Sequence, residues 1–349
     1  MGRILLLALT LTLGVFLFAA CGNAGTPQQE PTAPQPDKIR IGWQTQWATQ
    51  GQLVKVWQHT NIMKMNGLEA EYSGVDYGPK LNPLAIAGDL DVFLTADQPA
   101  AAAFTVGARC KVVGRLMYNN TKVYVPLDSP IQSMSQVKSA AGPTGAAAER
   151  ITAKGVTADG GDPLAIDWIT LGMAEQGAII LQGKDWPADA IYGFDAAASN
   201  FIYKGHAREL YVGHVVSVVV MCNDFMENNP DAAYRFVKAF YQGWYWYATH
   251  QQQANSWFKD ESRLPFDLEV LDIAASVEPN IKAQSIRDIR PFFNEDDLQV
   301  MQEASDFVCL RKKCGTPVVM TDFIDLSLME RAHAELSASY DPELVKVTN

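Results

Sequence analysis

Leu84-Ala85-Ile86-Ala87-Gly88-Asp89-Leu90-Asp91-Val92-Phe93-Leu94-Thr95-Ala96-Asp97-Gln98-Pro99 decides the fold. A short helix over 81–87 stops at Gly88, since glycine closes helices at little steric cost. Asp91 to Leu94 reads as a strand that breaks at Thr95 to Pro99, and an alanine-rich helix follows. Upstream, Ile39-Arg40-Ile41-Gly42-Trp43 alternates like a strand. Thr49 to Asn66 reads as one helix with Asn66-Gly67 as its stop, and Leu68 to Tyr72 as a second strand. Downstream comes Lys111-Val112-Val113-Gly114-Arg115-Leu116. Strand and helix alternate throughout, which indicates an α/β domain with a largely parallel sheet.

The alternation continues with a different composition. Val123-Tyr124-Val125-Pro126 reads as a strand, and 139–162 is rich in Gly and Ala. Thr144-Gly145 opens a helix through Ala153. Ile166 to Leu171 is a strand, Ala174 to Gln182 a helix, and Asp189 to Phe194 a strand. Asp195 stands where it can cap a helix over 196–203. Val215 to Met221 is a β-branched, strand-length run. From Asn229-Pro230 the chain turns helical, with Asn229 at an N-cap and Pro230 at the first helical position. Ala233, Phe236, Val237, Phe240, Trp244 and Tyr247 follow helical spacing and read as core.

The first residues read as an address. Arg3 is followed by an apolar run from Ile4 to Phe18, then Ala19-Ala20-Cys21. The run is shorter than the ~20 apolar residues of a membrane span and ends in small residues, as export signals do. The expectation is a lipoprotein signal over 1–20, with Cys21 acylated; a plain secretory signal with an incidental Cys is the alternative. Residues 21–37 then form a proline-rich tether without a large apolar residue.

A formal net charge of −11 argues against nucleic acid, whose phosphates demand Lys and Arg. With 48% hydrophobic residues, 38–349 can bury two lobes of ordinary size. Cys309 and Cys314 can close a short disulfide loop in an oxidising compartment. Cys110 and Cys222 read as isolated, buried small hydrophobes. The five histidines (His59, His206, His214, His250, His333) do not cluster and Cys-x-x-Cys is absent, so no metal and no cofactor is expected.

In this order the segments resemble the substrate-binding proteins of taurine, alkanesulfonate and nitrate ABC importers, a group that extends to thiamine-precursor binders. Ile39 to Gln44 resembles the family's opening strand and its Gln-containing turn, and Leu84 to Val92 resembles the LAxGxxDV segment. Thr95 to Pro99 resembles the ligand loop; Lys111 to Gly114 and the Asn229-Pro230 helix also fit. The resemblance spans roughly 38–336. It implies a two-lobed periplasmic-binding-protein type II fold, with two crossing strands near Lys122–Val125 and Ser217–Cys222. Lobe one would comprise 38–122 and 222–349, with a helical C-terminal region, and lobe two 123–221. It also implies a monomer, a small polar solute (sulfonate-, nitrate- or amine/zwitterion-class) as ligand, and a permease and ATPase as partners. The setting would be the periplasm or outer cell surface, with the lipid as membrane anchor.

Ligands in α/β sheets bind outside the carboxyl ends of strands. The candidates are therefore Trp43, Gln44, Thr45 and Trp47 after the first strand, and Thr95, Asp97 and Gln98 after the third. Thr144 and Gly145 lie where free helix N–H groups can hold an anion; Tyr192, Phe194, Asp195 and His214 complete the set. Asp97 departs from the family's polar, uncharged ligand loop, and Phe194-Asp195 stands where members often show Trp followed by a small residue, Pro or Glu. Either the two aspartates face the cleft, suiting an ammonium flanked by aromatic faces, or they cap the helices that follow. A binding protein is expected rather than an enzyme; a pyrimidine-precursor enzyme on the same scaffold and a sensor lipoprotein are the alternatives.

Overall fold

A computed structural model describes residues 35–262 and 264–348. Cys21, the export signal and most of the tether lie outside these residues. Eight strands form one sheet: β1 (Asp37–Gln44), β2 (Leu68–Val75), β3 (Val92–Ala96), β4 (Cys110–Val125), β5 (Ser139–Gly142), β6 (Asp167–Thr170), β7 (Ala190–Phe194) and β8 (Arg208–Cys222), in the order β2-β1-β3-β8-β4-β7-β5-β6. β1 runs parallel to β2 and β3, and β5 parallel to β6 and β7. The long strands β4 and β8 are antiparallel to each other and join the two parallel halves.

The helices are α1 (Gln50–His59), α2 (Ile62–Met65), α3 (Asn82–Ile86), α4 (Asp97–Thr105), α5 (Ala147–Ala158), α6 (Met173–Ile180), α7 (Ala197–Tyr203), α8 (Asn223–Asn228), α9 (Pro230–Thr249), α10 (Gln251–Glu261), α11 (Leu268–Ala275), α12 (Glu295–Lys312) and α13 (Ser327–Ala338). One core joins α1, α9, α10 and α13 to a face of β1 and β3. Along α9, Ala233, Phe236, Val237, Phe240, Trp244 and Tyr247 are all fully buried, as the helical spacing predicts. Trp57 donates to the Ala239 carbonyl at 3.1 Å. Gly243 permits that approach, because a Cβ there would lie 2.4 Å from Trp57 Nε1. A second core packs α4 and α12 on the opposite face; small alanines at 100, 101 and 103 let α12 come close. A third lies within the β5–β7 half.

Several elements differ from the sequence reading. The helix over 49–66 is two helices, broken at Thr60, whose extended backbone bridges Val347. The strands over 111–116 and 123–126 are one strand, β4, whose irregular pairing with β8 absorbs the intervening polar residues. The Gly/Ala-rich stretch hides β5, too small in its side chains to show a strand pattern. α5 begins at Ala147, past Thr144-Gly145. Asn229 precedes α9, but its side chain makes no capping hydrogen bond. β4 pairs with β7 only from Thr121 onward, and β8 leaves β3 before Ser217. The sheet therefore changes partners at about Tyr118–Asn120 and His214–Val216, a few residues before the crossings the resemblance implied. Cys110 and Cys222 are not isolated: they face each other across β4 and β8, with sulfurs 2.7 Å apart. Cys309 and Cys314 are joined in a disulfide.

Candidate functional site

The carboxyl ends of β1, β3 and β7 meet where the long strands pass from one half to the other. β1 ends at Gln44, and the loop behind it carries Gln46, Trp47 and Thr49, all buried. Thr49 has φ of 36°, a backbone region that costs energy for a β-branched residue and persists only under tertiary constraint. The constraint is visible. Gly51 N–H donates to the Trp47 carbonyl at 2.8 Å, and Asn119 of β4 donates to the Ala48 carbonyl at 3.3 Å. Trp47 pairs its backbone with Ala196 across the lobes, and its ring meets Phe194 edge-on at 5.8 Å. The Asp195 N–H donates to the Asn120 carbonyl at 3.1 Å.

Around this junction buried polar atoms accumulate without partners among the described residues. They include both amide atoms of Gln46 and of Asn200, the Trp47 indole N–H and the hydroxyls of Thr95, Ser199 and Ser217. Gln98 Oε1, Asn119 Oδ1, Asp195 Oδ2 and Arg150 Nε join them. Folded proteins pair nearly all such groups, because an unpaired one costs about 1–3 kcal/mol. Their concentration at one strand-end junction makes it the candidate site.

The charges are arranged unevenly. Asp97 opens α4 and forms a buried ion pair with Arg150 of α5 at 2.5 Å; it also accepts from the Gln98 N–H at 2.7 Å. Burial pushes the Asp97 carboxyl up, and the charge of Arg150 pulls against it. Asp195 accepts the Ser199 N–H at 2.9 Å through Oδ1, so it does cap α7, yet its second oxygen stays unpartnered. Burial raises its carboxyl too, opposed by Lys122 and by the Ser199 N–H.

Two helix starts in the second half are already filled. Gly145 N–H donates to the Glu149 carboxylate at 2.6 Å, and Glu149 also pairs with Arg311 at 2.8 Å. Asp76, from the first half, accepts from Met173 N–H at 3.1 Å at the start of α6. The expected anion-holding turn at Thr144-Gly145 thus carries the protein's own carboxylate. Gln98, Thr144, Gly145, Glu149, Arg311 and Lys312 line a cavity of about 220 Å³ where α4 and α12 meet that turn.

Of the candidates, Trp47, Thr95, Asp97, Gln98, Phe194 and Asp195 gather at the junction, and Thr144 and Gly145 border the adjoining cavity. Gln44 is buried beside it, its backbone tied to the Gln50 amide. Trp43 is buried, with the Lys55 ammonium over its ring at 5.1 Å. Thr45 donates to the Val75 carbonyl at the sheet edge. Tyr192 packs inside the second half against Gly142 and Trp168, which raises its hydroxyl pKa by burial. His214 is exposed on β8. Gln46, Asn119, Arg150, Ser199, Asn200 and Ser217 were missed. Ser217 interrupts the valine run of β8, and Asn119-Asn120 interrupts β4; polar residues inside strands that join two halves were the available signal.

No family model and no curated protein sequence matches the chain. Solved structures do. The alkanesulfonate-binding protein SsuA from Xanthomonas axonopodis pv. citri, bound to MOPS, is 17% identical over 84% of this chain and 99% of its own, with a TM-score of 0.67. The periplasmic aliphatic sulphonate binding protein SsuA from Escherichia coli is 18% identical over 83% and 92%, at 0.64. The desulfurization enzyme DSZB is 11% identical over 86% and 99%, at 0.60. On these likenesses the chain has the two-lobed α/β fold of the periplasmic binding proteins.

Proposed function

We propose that the chain is a solute receptor of an ABC importer, closing on a small polar organic molecule between its lobes and presenting it to a membrane permease and its ATPase. The observation that carries this reading is the cluster of unpartnered buried polar atoms at the strand-end junction. The cluster is built of amides, hydroxyls, an indole, one carboxylate and the Nε of Arg150, whose charge Asp97 already pairs; such groups recognise rather than react. The domain reading follows, with its bounds of 122 and 222 moved to where the sheet changes partners: about 38–118 with 217–349 as one lobe and about 121–213 as the other, closing by differential affinity for the closed state. Export, acylation of Cys21 and a periplasmic or cell-surface address belong to the same proposal. A lipid tether keeps such a receptor at high effective concentration beside its permease.

The ligand class is an amine or zwitterion. Asp195 Oδ2 offers a buried acceptor, while Glu149 and Asp76 already occupy the helix starts that would hold an anion. A sulfonate or nitrate would have to displace a carboxylate to use them. Calorimetry against taurine, an alkanesulfonate, nitrate, primary amines and pyrimidines tests this. Binding by an amine-bearing compound is expected; binding of nitrate with none of any amine overturns the ligand class.

A further inference from the structure

Cys110 and Cys222 stand at the outer ends of the two long strands, opposite each other in register. The Asn223 N–H donates to the Arg109 carbonyl at 2.8 Å, and the Cys222 N–H turns away to Asp91 at 2.9 Å. The cysteines are therefore a non-hydrogen-bonded pair, whose Cα atoms stand about 4.5 Å apart in antiparallel sheet. That spacing falls within the range of about 4.4–6.8 Å that disulfides span. Their sulfurs are 2.7 Å apart, and both side chains are buried. Cys222 also lines a surface cavity of about 430 Å³ with Arg40, Asp91, Arg109 and Phe225.

We propose that Cys110 and Cys222 form a second, structural disulfide. The chemistry is thiol–disulfide exchange with a disulfide-bearing oxidant, an oxidised dithiol protein or glutathione disulfide. One cysteine thiolate attacks the oxidant's disulfide, forming a mixed disulfide and expelling a thiolate. The other cysteine then attacks the protein sulfur of that mixed disulfide and releases the second thiol. Two protein thiols lose two electrons, and the oxidant leaves as two thiols carrying the protons. Hydrogen bonding to Cys110 and burial push the Cys222 thiol up, so exchange belongs to folding, before the pair is enclosed. The partners are 112 residues apart, so the bond would close the whole second lobe into one loop and clamp both joining strands at their base. An oxidising compartment is required, so the bond's presence in cells rests on the export reading.

The test is disulfide mapping of the full chain, reduced, unfolded and refolded in mixed reduced and oxidised glutathione, then alkylated and digested without reduction. A Cys110–Cys222 cross-linked peptide in most molecules is expected, beside the Cys309–Cys314 bridge as internal control. A bridged Cys309–Cys314 with Cys110 and Cys222 both alkylated overturns the proposal. The same map of protein from the cell envelope separates the two readings: bonds made on refolding but reduced there sink export and leave the pair's chemistry standing. Reductant should also lower the thermal midpoint of the wild type by about 5–10 °C more than that of Cys222→Ala; equal shifts count against the bond.

Discussion

Replacing Arg150 with Gln tests how the two halves are held together. Its guanidinium reaches Asp97 at 2.5 Å, and the two side chains are 5% and 0% exposed. With charge centres about 4 Å apart and an effective dielectric near 20, the attraction is about 4 kcal/mol. Desolvating the two ions consumes much of that, so the pair itself adds little. Removing one partner leaves a buried charge and costs about 3–5 kcal/mol. Arg150→Gln leaves Asp97 with only neutral donors such as the Gln98 N–H. Asp97→Asn is milder, because Arg150 keeps the Glu303 carboxylate at 3.9 Å. Thermal unfolding at pH 8 should therefore drop by about 6–10 °C for Arg150→Gln, at roughly 2 °C per kcal/mol for a chain of this size, and by less for Asp97→Asn. α4 and α5 lie in opposite halves, so opening is the other relief, read as a larger radius of gyration in small-angle scattering. Burial already raises the Asp97 carboxyl, and losing Arg150 raises it further. The deficit should then shrink as pH falls toward 4 and the acid takes up a proton. An Arg150→Gln protein with unchanged midpoint and unchanged radius, or an Asp97→Asn protein that loses more, refutes this reasoning.

Asp195→Asn keeps the Oδ1 cap on the Ser199 N–H but removes the buried acid. Below about pH 3.8 the acid is neutral in both folded and unfolded chains. Above it, the folded protein holds a proton that the unfolded one has released, so its stability contribution falls as pH rises. The variant's thermal midpoint should match wild type near pH 4 and exceed it at pH 8; an equal midpoint at both refutes the buried-acid assignment. The same variant should bind an amine ligand about tenfold to a hundredfold more weakly, measured by calorimetry. Gly142→Ala would place a Cβ 2.5 Å from the Tyr192 carbonyl oxygen, forcing β5 from β7, and should cost at least about 2 kcal/mol in urea unfolding. Cys21→Ser should release the protein from membranes on fractionation; unchanged membrane association counts against acylation.

The fold was legible because helix stops and strands carry strong signals in this chain. Gly88 takes φ of 79°, as a helix-closing glycine does, and the periodic face of α9 is buried residue for residue. Elements defined by small side chains were not legible: β5 reads Ser-Ala-Ala-Gly and shows no alternation. The candidate junction was legible by strand-end position but not by partner. Asp97 follows β3 as expected, yet nothing in sequence shows that Arg150, far along the chain, reaches it. Nor does sequence show that Lys55 lies over the ring of Trp43. Strand-end position can be read locally, whereas pairing of charges across lobes requires the fold.

The central claim is capture of a solute at the strand-end junction. Calorimetric titration of the wild type and of Gln46→Ala and Asn119→Ala with the same solute panel tests it most directly. The account predicts binding of an amine-bearing solute by the wild type, weakened at least about tenfold in both variants, with their folds intact by circular dichroism. Binding that survives both substitutions unchanged would contradict it.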